Sequence, residues 1–207
     1  MIDLYTYATP NGRKVSIMLE EAGLPYAVEV VDITQGQQHA AWFRALNPNG
    51  RIPVIVDHEG PDGAPYTLWE SGAILVYLAE KTGRFLPGND AERHQVMQWL
   101  MFQMGNVGPM FGQYHHFRHM AAEDVPYGKA RYGAETERLY GVLDERLGES
   151  PWLGGPEYSI ADMATYPWCA VHEKQGIDLA VYPNVARWLA AMNERPAVAR
   201  GMAVPEA

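Results

Sequence analysis

The sequence has very little cysteine, since Cys169 is the only one among 207 residues. A single cysteine excludes an intrachain disulfide, a Cys-x-x-Cys redox pair and a zinc site built from several thiolates. Any thiol chemistry must therefore use a thiol that arrives with the substrate, unless Cys169 itself reacts. Its neighbours Pro167, Trp168, Ala170 and Val171 are apolar. We expect a buried, unreactive thiol, because activation of a thiol needs an electropositive and partly exposed setting.

Basic residues and long apolar segments are also scarce. The chain has 16 Lys and Arg against 25 Asp and Glu, a formal net charge of -9 and a pI near 5.2, with no local cluster of basic residues. This balance disfavours binding to nucleic acid or to an anionic membrane. No apolar run approaches the roughly 18 residues that span a bilayer, and Asp3 stands where a secretory signal would carry positive charge. We expect a soluble, cytoplasmic protein.

The N-terminal part of the chain alternates between strand-like and helix-like segments. Short apolar runs with strand character lie at residues 2–8, 27–31, 54–57 and 66–69. Apolar residues at helical spacing occupy residues 15–22, a weaker helical stretch covers residues 37–45, and a further helix covers residues 73–81 with Ser71 as its expected N-cap. The order is β-α-β-α-β-β-α. A βαβ unit followed by a ββα unit predicts an α/β, thioredoxin-like domain with a mixed four-stranded sheet over residues 1–84.

The composition changes after this domain. Residues 85–90 contain Leu86-Pro87-Gly88-Asn89, which is typical of a linker. Beyond them the strand signal ends and helical periodicity takes over. Residues 159–162, with the sequence Ser-Ile-Ala-Asp, form a capping-box pattern that marks one helix start. We therefore predict an all-helical bundle domain over residues 91–207.

Two short motifs in the first domain can carry chemistry. Pro53 opens a strand that otherwise looks central, which conflicts with ladder pairing. A cis Ile52–Pro53 bond would leave the Ile52 backbone groups free to pair with an extended ligand, and an edge strand without functional meaning is the alternative. Ser71 at a helix start can offer donors to a carboxylate and Glu70 can accept from an ammonium group, which suits an α-amino acid moiety. Plain capping by Ser71 beside a solvated Glu70 is the alternative there.

As an ordered set, the motifs resemble the glutathione transferase superfamily. The set consists of Ile52-Pro53-Val54, Glu70-Ser71-Gly72-Ala73-Ile74, Ser159-Ile160-Ala161-Asp162, Tyr182-Pro183-Asn184-Val185 and Arg195-Pro196-Ala197. The resemblance runs over essentially the whole chain. It implies a homodimer whose first domain binds glutathione, with Ile52 and Pro53 at the cysteinyl backbone and Glu70 and Ser71 at the γ-glutamyl end.

Within that superfamily, four further segments resemble the bacterial Nu class of glutathione-dependent disulfide-bond reductases. They are residues 9–14, 108–113, 115–117 and 150–155. In that class a threonine and an asparagine after the first strand replace the catalytic residue of other classes, and each site takes two glutathione molecules or one oxidised glutathione. Thr9 and Asn11 match these two positions. The resemblance further implies Gln38 and Arg131 as polar partners of the glutathione carboxylates.

The chemistry of a thiol agrees with this assignment. A glutathione thiol is largely protonated at neutral pH, and the Thr9 hydroxyl, the Asn11 amide and the helix start near Gly12 can stabilise its thiolate. That thiolate then attacks a disulfide sulfur. We predict an enzyme that reduces small disulfides with glutathione. Two alternatives stay open: conjugation of glutathione to electrophiles, and a non-catalytic glutathione-binding protein of the same fold.

A histidine cluster is the one pattern that could indicate a metal. His115 and His119 have the spacing that places two imidazoles on one helical face, with His116 beside them. No carboxylate or cysteine accompanies them at ligand spacing. We therefore predict no metal.

Overall fold

The computed structural model describes residues 1–205 of the chain. These residues divide into two compact units. The first unit comprises Met1–Arg84 together with the segment from Arg195 onward, and the second comprises Phe85–Glu194. Residues 85–89 have no regular secondary structure.

The first unit is built on a four-stranded mixed sheet with the order β2-β1-β3-β4. Its strands are β1 (Ile2–Thr6), β2 (Tyr26–Val30), β3 (Val54–Asp57) and β4 (Tyr66–Trp69). Strand β1 is parallel to β2 and antiparallel to β3, and β4 is antiparallel to β3. A parallel neighbour requires a crossover connection, which helix α1 (Pro10–Ala22) provides between β1 and β2. The predicted thioredoxin-like sheet is confirmed.

Two further helices complete the ββα half of this unit. They are α2 (Ala41–Leu46) and α3 (Ser71–Thr82). The helix predicted over residues 37–45 is shorter than expected, because Gln37–His39 forms a separate 3-10 turn and α2 begins only at Ala41. Helices α1 and α3 pack against each other. The fully buried side chains of this core include Leu4, Val15, Met18, Ile74 and Leu78.

The second unit is helical. Its helices are α4 (Asp90–Phe102), α5 (Gly108–His115), α6 (Pro126–Glu149), α7 (Ile160–Cys169), α8 (His172–Gln175) and α9 (Pro183–Asn193). Single π-helical turns, Gln103–Val107 and His116–Met120, follow α4 and α5. Within residues 1–205, no helix is long and apolar enough to cross a bilayer.

The predicted capping box fixes the start of α7. The Ser159 hydroxyl accepts the Ala161 N–H at 3.3 Å, and the Asp162 carboxylate accepts the Ser159 N–H at 3.1 Å. Asp162 is fully buried and also accepts from the Trp188 indole N–H at 3.0 Å. The same side chain that caps α7 therefore ties this helix to α9.

The last helix departs from the predicted domain division. Helix α10 (Pro196–Met202) was assigned with residues 91–207 to the helical domain, but it packs on α1 of the first unit. The Ser16 hydroxyl donates to the Gly201 carbonyl at 2.6 Å, and a Cβ on Gly201 would lie 2.5 Å from the Ile17 Cα. Helical spacing predicts that a helix forms. It does not predict which distant surface the helix packs on.

Candidate functional site

Three connections of the first unit meet at one end of its sheet. In the strand register, Val54 of β3 pairs with Tyr5 of β1 on one side and with Trp69 of β4 on the other. The chain therefore leaves β1 toward Thr9, enters β3 from Pro53 and leaves β4 toward Glu70 at the same end of the sheet. Residues from three predicted motifs are brought together in this way.

The start of α1 presents polar groups and a helix N-terminus at this end of the sheet. Thr9 has extended backbone angles and its hydroxyl oxygen accepts the Gly12 N–H at 3.2 Å, so Thr9 is the N-cap. Among the described residues the Thr9 hydroxyl donates to no protein acceptor, so its proton is available to a ligand. Asn11 is the second residue of the helix. The N–H groups of the first turn and the helix dipole favour an anion at this position.

Gly12 allows this helix start to lie close against the end of β1. A Cβ at this position would lie 2.6 Å from the Tyr7 carbonyl oxygen and would also collide with the Thr6 hydroxyl. Backbone atoms cannot move aside cheaply. The glycine therefore fixes where the first turn of α1 sits relative to the strand.

The Ile52–Pro53 peptide bond is cis. Strand β3, which follows it, lies between β1 and β4, so the alternative of an edge-strand proline is wrong. Within residues 1–205, the Ile52 N–H and C=O groups have no backbone hydrogen-bond partner. An extended peptide-like ligand can pair with such groups as an added strand does.

Asn47 supports the loop before Ile52. Asn47 is buried at 1% exposure. Its amide donates to the Arg51 carbonyl at 2.7 Å and accepts the Asn49 N–H at 2.9 Å. Gly50 takes a left-handed conformation in the same loop, with φ of 62°. An asparagine that satisfies its own loop is a common turn signal, so this role was open to prediction.

The start of α3 differs from the prediction. Ser71 was expected to be the N-cap, but it is the first residue of the helix, and Glu70 occupies the cap position without a side-chain capping bond. Glu70 has φ of 73° and ψ of 110°, which is unusual for a residue with a side chain. Such conformations cost on the order of 1–3 kcal/mol and cluster at binding sites. Glu70 is exposed, whereas Ser71 is buried.

Lys14 is the functional candidate that sequence reasoning missed. Its side chain is buried at 1% exposure, and its Nζ lies 3.4 Å from the Ser71 Oγ. Burial lowers the pKa of Lys14 to about 7, and the negative charge of Glu70 acts in the opposite direction. One signal could have found it. Lys14 precedes Met18 by four residues and so lies on the apolar face of α1.

The two residues implied as carboxylate partners lie in different units. Gln38 belongs to the 3-10 turn before α2, and its carbonyl would lie 3.1 Å from a Cβ on Gly50. The Gln38 Oε1 is buried and has no hydrogen-bond partner among the described residues. Arg131 is exposed on α6 of the second unit.

Cys169 lies at the end of α7 in the second unit and is fully buried. Burial raises the pKa of its thiol to about 12, opposed by a hydrogen bond with Tyr140. The expected burial of Cys169 is confirmed, and its low reactivity stays a prediction. Across residues 1–205, no group of three or more His, Cys, Asp or Glu side chains could hold a metal ion.

A thioredoxin-like unit with two helix starts and a cis-proline loop at one end of its sheet, followed by a helical unit, is the architecture that the sequence motifs predict for the glutathione transferase superfamily. Comparison with known protein families tests this expectation. Residues 8–81 match the model for the glutathione S-transferase N-terminal domain, and residues 109–196 match that for the C-terminal domain. The chain belongs to the glutathione S-transferase family.

Individual relatives are similar over nearly the whole chain. The disulfide-bond oxidoreductase YfcG of Escherichia coli is 51% identical over 98% of this chain and 94% of its own length. A solved glutathione transferase from Burkholderia graminis, with two glutathione molecules bound per subunit, has a TM-score of 0.94 and 48% identity over 99% of this chain and 88% of that one. Another from Pseudomonas putida, with one glutathione disulfide bound per subunit, has a TM-score of 0.93 and 46% identity over 99% and 91%.

Proposed function

We propose that this chain is a glutathione-dependent disulfide-bond reductase of the Nu class. The observation that carries the proposal is the start of α1, which offers a hydroxyl donor, an amide and a helix N-terminus but no cysteine. The chain's single cysteine is buried in the other unit with a raised pKa. The reactive sulfur is then that of glutathione itself.

The proposed site binds glutathione at this end of the sheet. Thr9 and Asn11 stabilise the thiolate, aided by the dipole of α1. Ile52 pairs with the cysteinyl backbone of glutathione, and Pro53 shapes that contact. Asn47 holds the loop residues that precede Ile52. Glu70 accepts from the γ-glutamyl ammonium and Ser71 donates to the γ-glutamyl carboxylate.

Gln38 and Arg131 are the further polar partners that we propose for glutathione carboxylates. A carboxylate requires the donor side of the Gln38 amide, its NH₂ group, and the part proposed for Gln38 rests on the family resemblance. Arg131 rests on the family resemblance. So do the homodimer and the cytoplasmic location that we propose.

The reaction consists of two thiol–disulfide exchanges. The thiolate of one glutathione attacks one sulfur of a disulfide RS–SR, which forms G–S–S–R and releases RS⁻, and this thiolate takes up a proton. A second glutathione thiolate attacks the mixed disulfide, which gives glutathione disulfide and the second RSH. Two glutathione molecules are oxidised and one disulfide is reduced, and the protein exchanges no electrons. The names and bound ligands of the relatives described above support this chemistry.

A kinetic comparison tests the proposal. Reduction of 2-hydroxyethyl disulfide by glutathione is measured with wild type, Thr9→Ala, Asn11→Ala and the matched control Cys169→Ser. We expect both site variants to lose most of the activity and Cys169→Ser to retain it. Wild-type rates with both site variants would contradict the mechanism. Conjugation to an activated aryl halide without disulfide reduction would favour a transferase instead.

A further inference from the structure

Lys14 has no explanation in the packing of α1. Its neighbours Val15, Ile17 and Met18 are fully buried apolar residues, and Lys14 is buried with them. Removing an ammonium from water is costly, and an apolar side chain of similar volume at such a site is often neutral or stabilising. A methionine would fill this space without that cost. The amine therefore serves something other than the stability of the core.

One contact of the Lys14 amine lies at the start of α3. The Lys14 Nζ lies 3.4 Å from the Ser71 Oγ. An ammonium has only donors, so the serine oxygen accepts in this pair and the serine proton is directed elsewhere. The side chain of Glu70, next to Ser71, contributes a negative charge that Lys14 senses. Lys14 thus connects α1 with the start of α3.

We propose that Lys14 is a positioning residue for the amino-acid end of glutathione, orienting the Ser71 hydroxyl toward the ligand carboxylate and balancing the charge of Glu70. This inference rests on the proposed function. The bound ligand end carries one carboxylate and one ammonium. When Lys14 is protonated, the two negative groups, Glu70 and the ligand carboxylate, are balanced by two positive groups, Lys14 and the ligand ammonium. Without the Lys14 charge, the two negative groups share the ligand ammonium alone.

The two ends of the ligand should respond differently. Lys14 acts on the γ-glutamyl end, whereas the thiol end depends on Thr9 and Asn11. Loss of the ammonium should therefore weaken binding and raise KM, with little effect on kcat. A thiol without the γ-glutamyl group, such as cysteinylglycine, should not sense Lys14 at all.

The test compares Lys14→Met with wild type for two thiols, glutathione and cysteinylglycine, in disulfide reduction at pH 6, below the lowered pKa of Lys14, where its amine is charged. For glutathione we expect KM to rise about tenfold, as for loss of one charge-assisted hydrogen bond, with kcat within about twofold of wild type on the same reasoning. For cysteinylglycine we expect no change. Lys14→Gln keeps a donor without the charge and should give a smaller rise, and it serves if Lys14→Met folds poorly. Lys81→Met is the matched control, because Lys81 pairs with Asp57 at 2.8 Å on the same unit.

Calorimetric titration with glutathione separates this inference from the proposed function, because binding needs no turnover. A Kd that rises about tenfold in Lys14→Met but not in Lys81→Met supports the inference even if disulfide reduction were absent. Equal KM and Kd values for wild type and Lys14→Met would overturn it while the reductase activity stands. Equal losses for both thiols would also overturn it, since they would assign Lys14 a purely structural role.

Discussion

Thr9 has two roles at the start of α1 that substitutions can separate. Its hydroxyl oxygen accepts the Gly12 N–H at 3.2 Å, which caps the helix, and its hydroxyl proton is proposed to stabilise the glutathione thiolate. Thr9→Ala removes both roles and Thr9→Ser keeps both. Thr9→Asp keeps an acceptor for the cap but has no proton to donate, and it places a negative charge beside the thiolate.

The two roles have different magnitudes. Loss of an N-cap costs about 1 kcal/mol, which lowers the unfolding temperature of a chain of this size by about 2–4 °C. A hydrogen bond to a charged group contributes about 1.5–3 kcal/mol, so its loss lowers the rate about 10- to 150-fold. We therefore expect Thr9→Ala to unfold at a lower temperature than wild type and to reduce disulfides more slowly. Thr9→Asp should be as stable as wild type but should reduce disulfides no faster than Thr9→Ala.

Thermal unfolding followed by circular dichroism and the rate of disulfide reduction measure the two roles on the same preparations. Thr9→Ser should resemble wild type in both measurements. The reasoning is refuted if Thr9→Asp reduces disulfides at the wild-type rate, or if activity across the three variants simply follows their unfolding temperatures.

Three further results are expected. Gly12→Ala should lower the free energy of unfolding by about 1–3 kcal/mol in urea titration, because its Cβ collides with Thr6 and with the Tyr7 carbonyl; an unchanged midpoint would contradict that collision. Burial lowers the pKa of Lys14 from 10.5 to about 7, so only the unfolded chain holds this proton between those values, and wild type should gain stability there as pH rises. Lys14→Met should lack that gain, and parallel pH profiles would show that the amine is not perturbed. Native Cys169 should react with iodoacetamide far more slowly than the urea-unfolded chain, and equal rates would contradict its burial.

Local signals were sufficient to predict most of the first unit. Short apolar runs predicted its strands, and the helical spacing in residues 15–22 and 73–81 predicted α1 and α3. Thr9, Ile52 and Glu70 were predicted as site residues from short motifs and the family resemblance. The strand register then explains why residues so far apart in sequence meet at one end of the sheet.

The features that escaped prediction depend on contacts between distant segments. The packing of α10 on α1, the burial of Lys14 and its contact with Ser71 join residues that no local spacing relates. The N-cap expected at Ser71 was wrong because Glu70 adopts a positive φ. Only the surrounding fold can hold a glutamate in that conformation.

The source of the reactive sulfur is tested most directly by intact-protein mass spectrometry during turnover. The protein is mixed with glutathione and a small disulfide, quenched with acid at times shorter than one turnover and weighed, with Cys169→Ala measured in parallel. We predict that wild type keeps its unmodified mass throughout and that Cys169→Ala reduces the disulfide at the wild-type rate. A glutathionyl adduct on Cys169 that forms and decays at the rate of turnover, and is absent from an inactive Cys169→Ala, would contradict glutathione as the only reacting thiol.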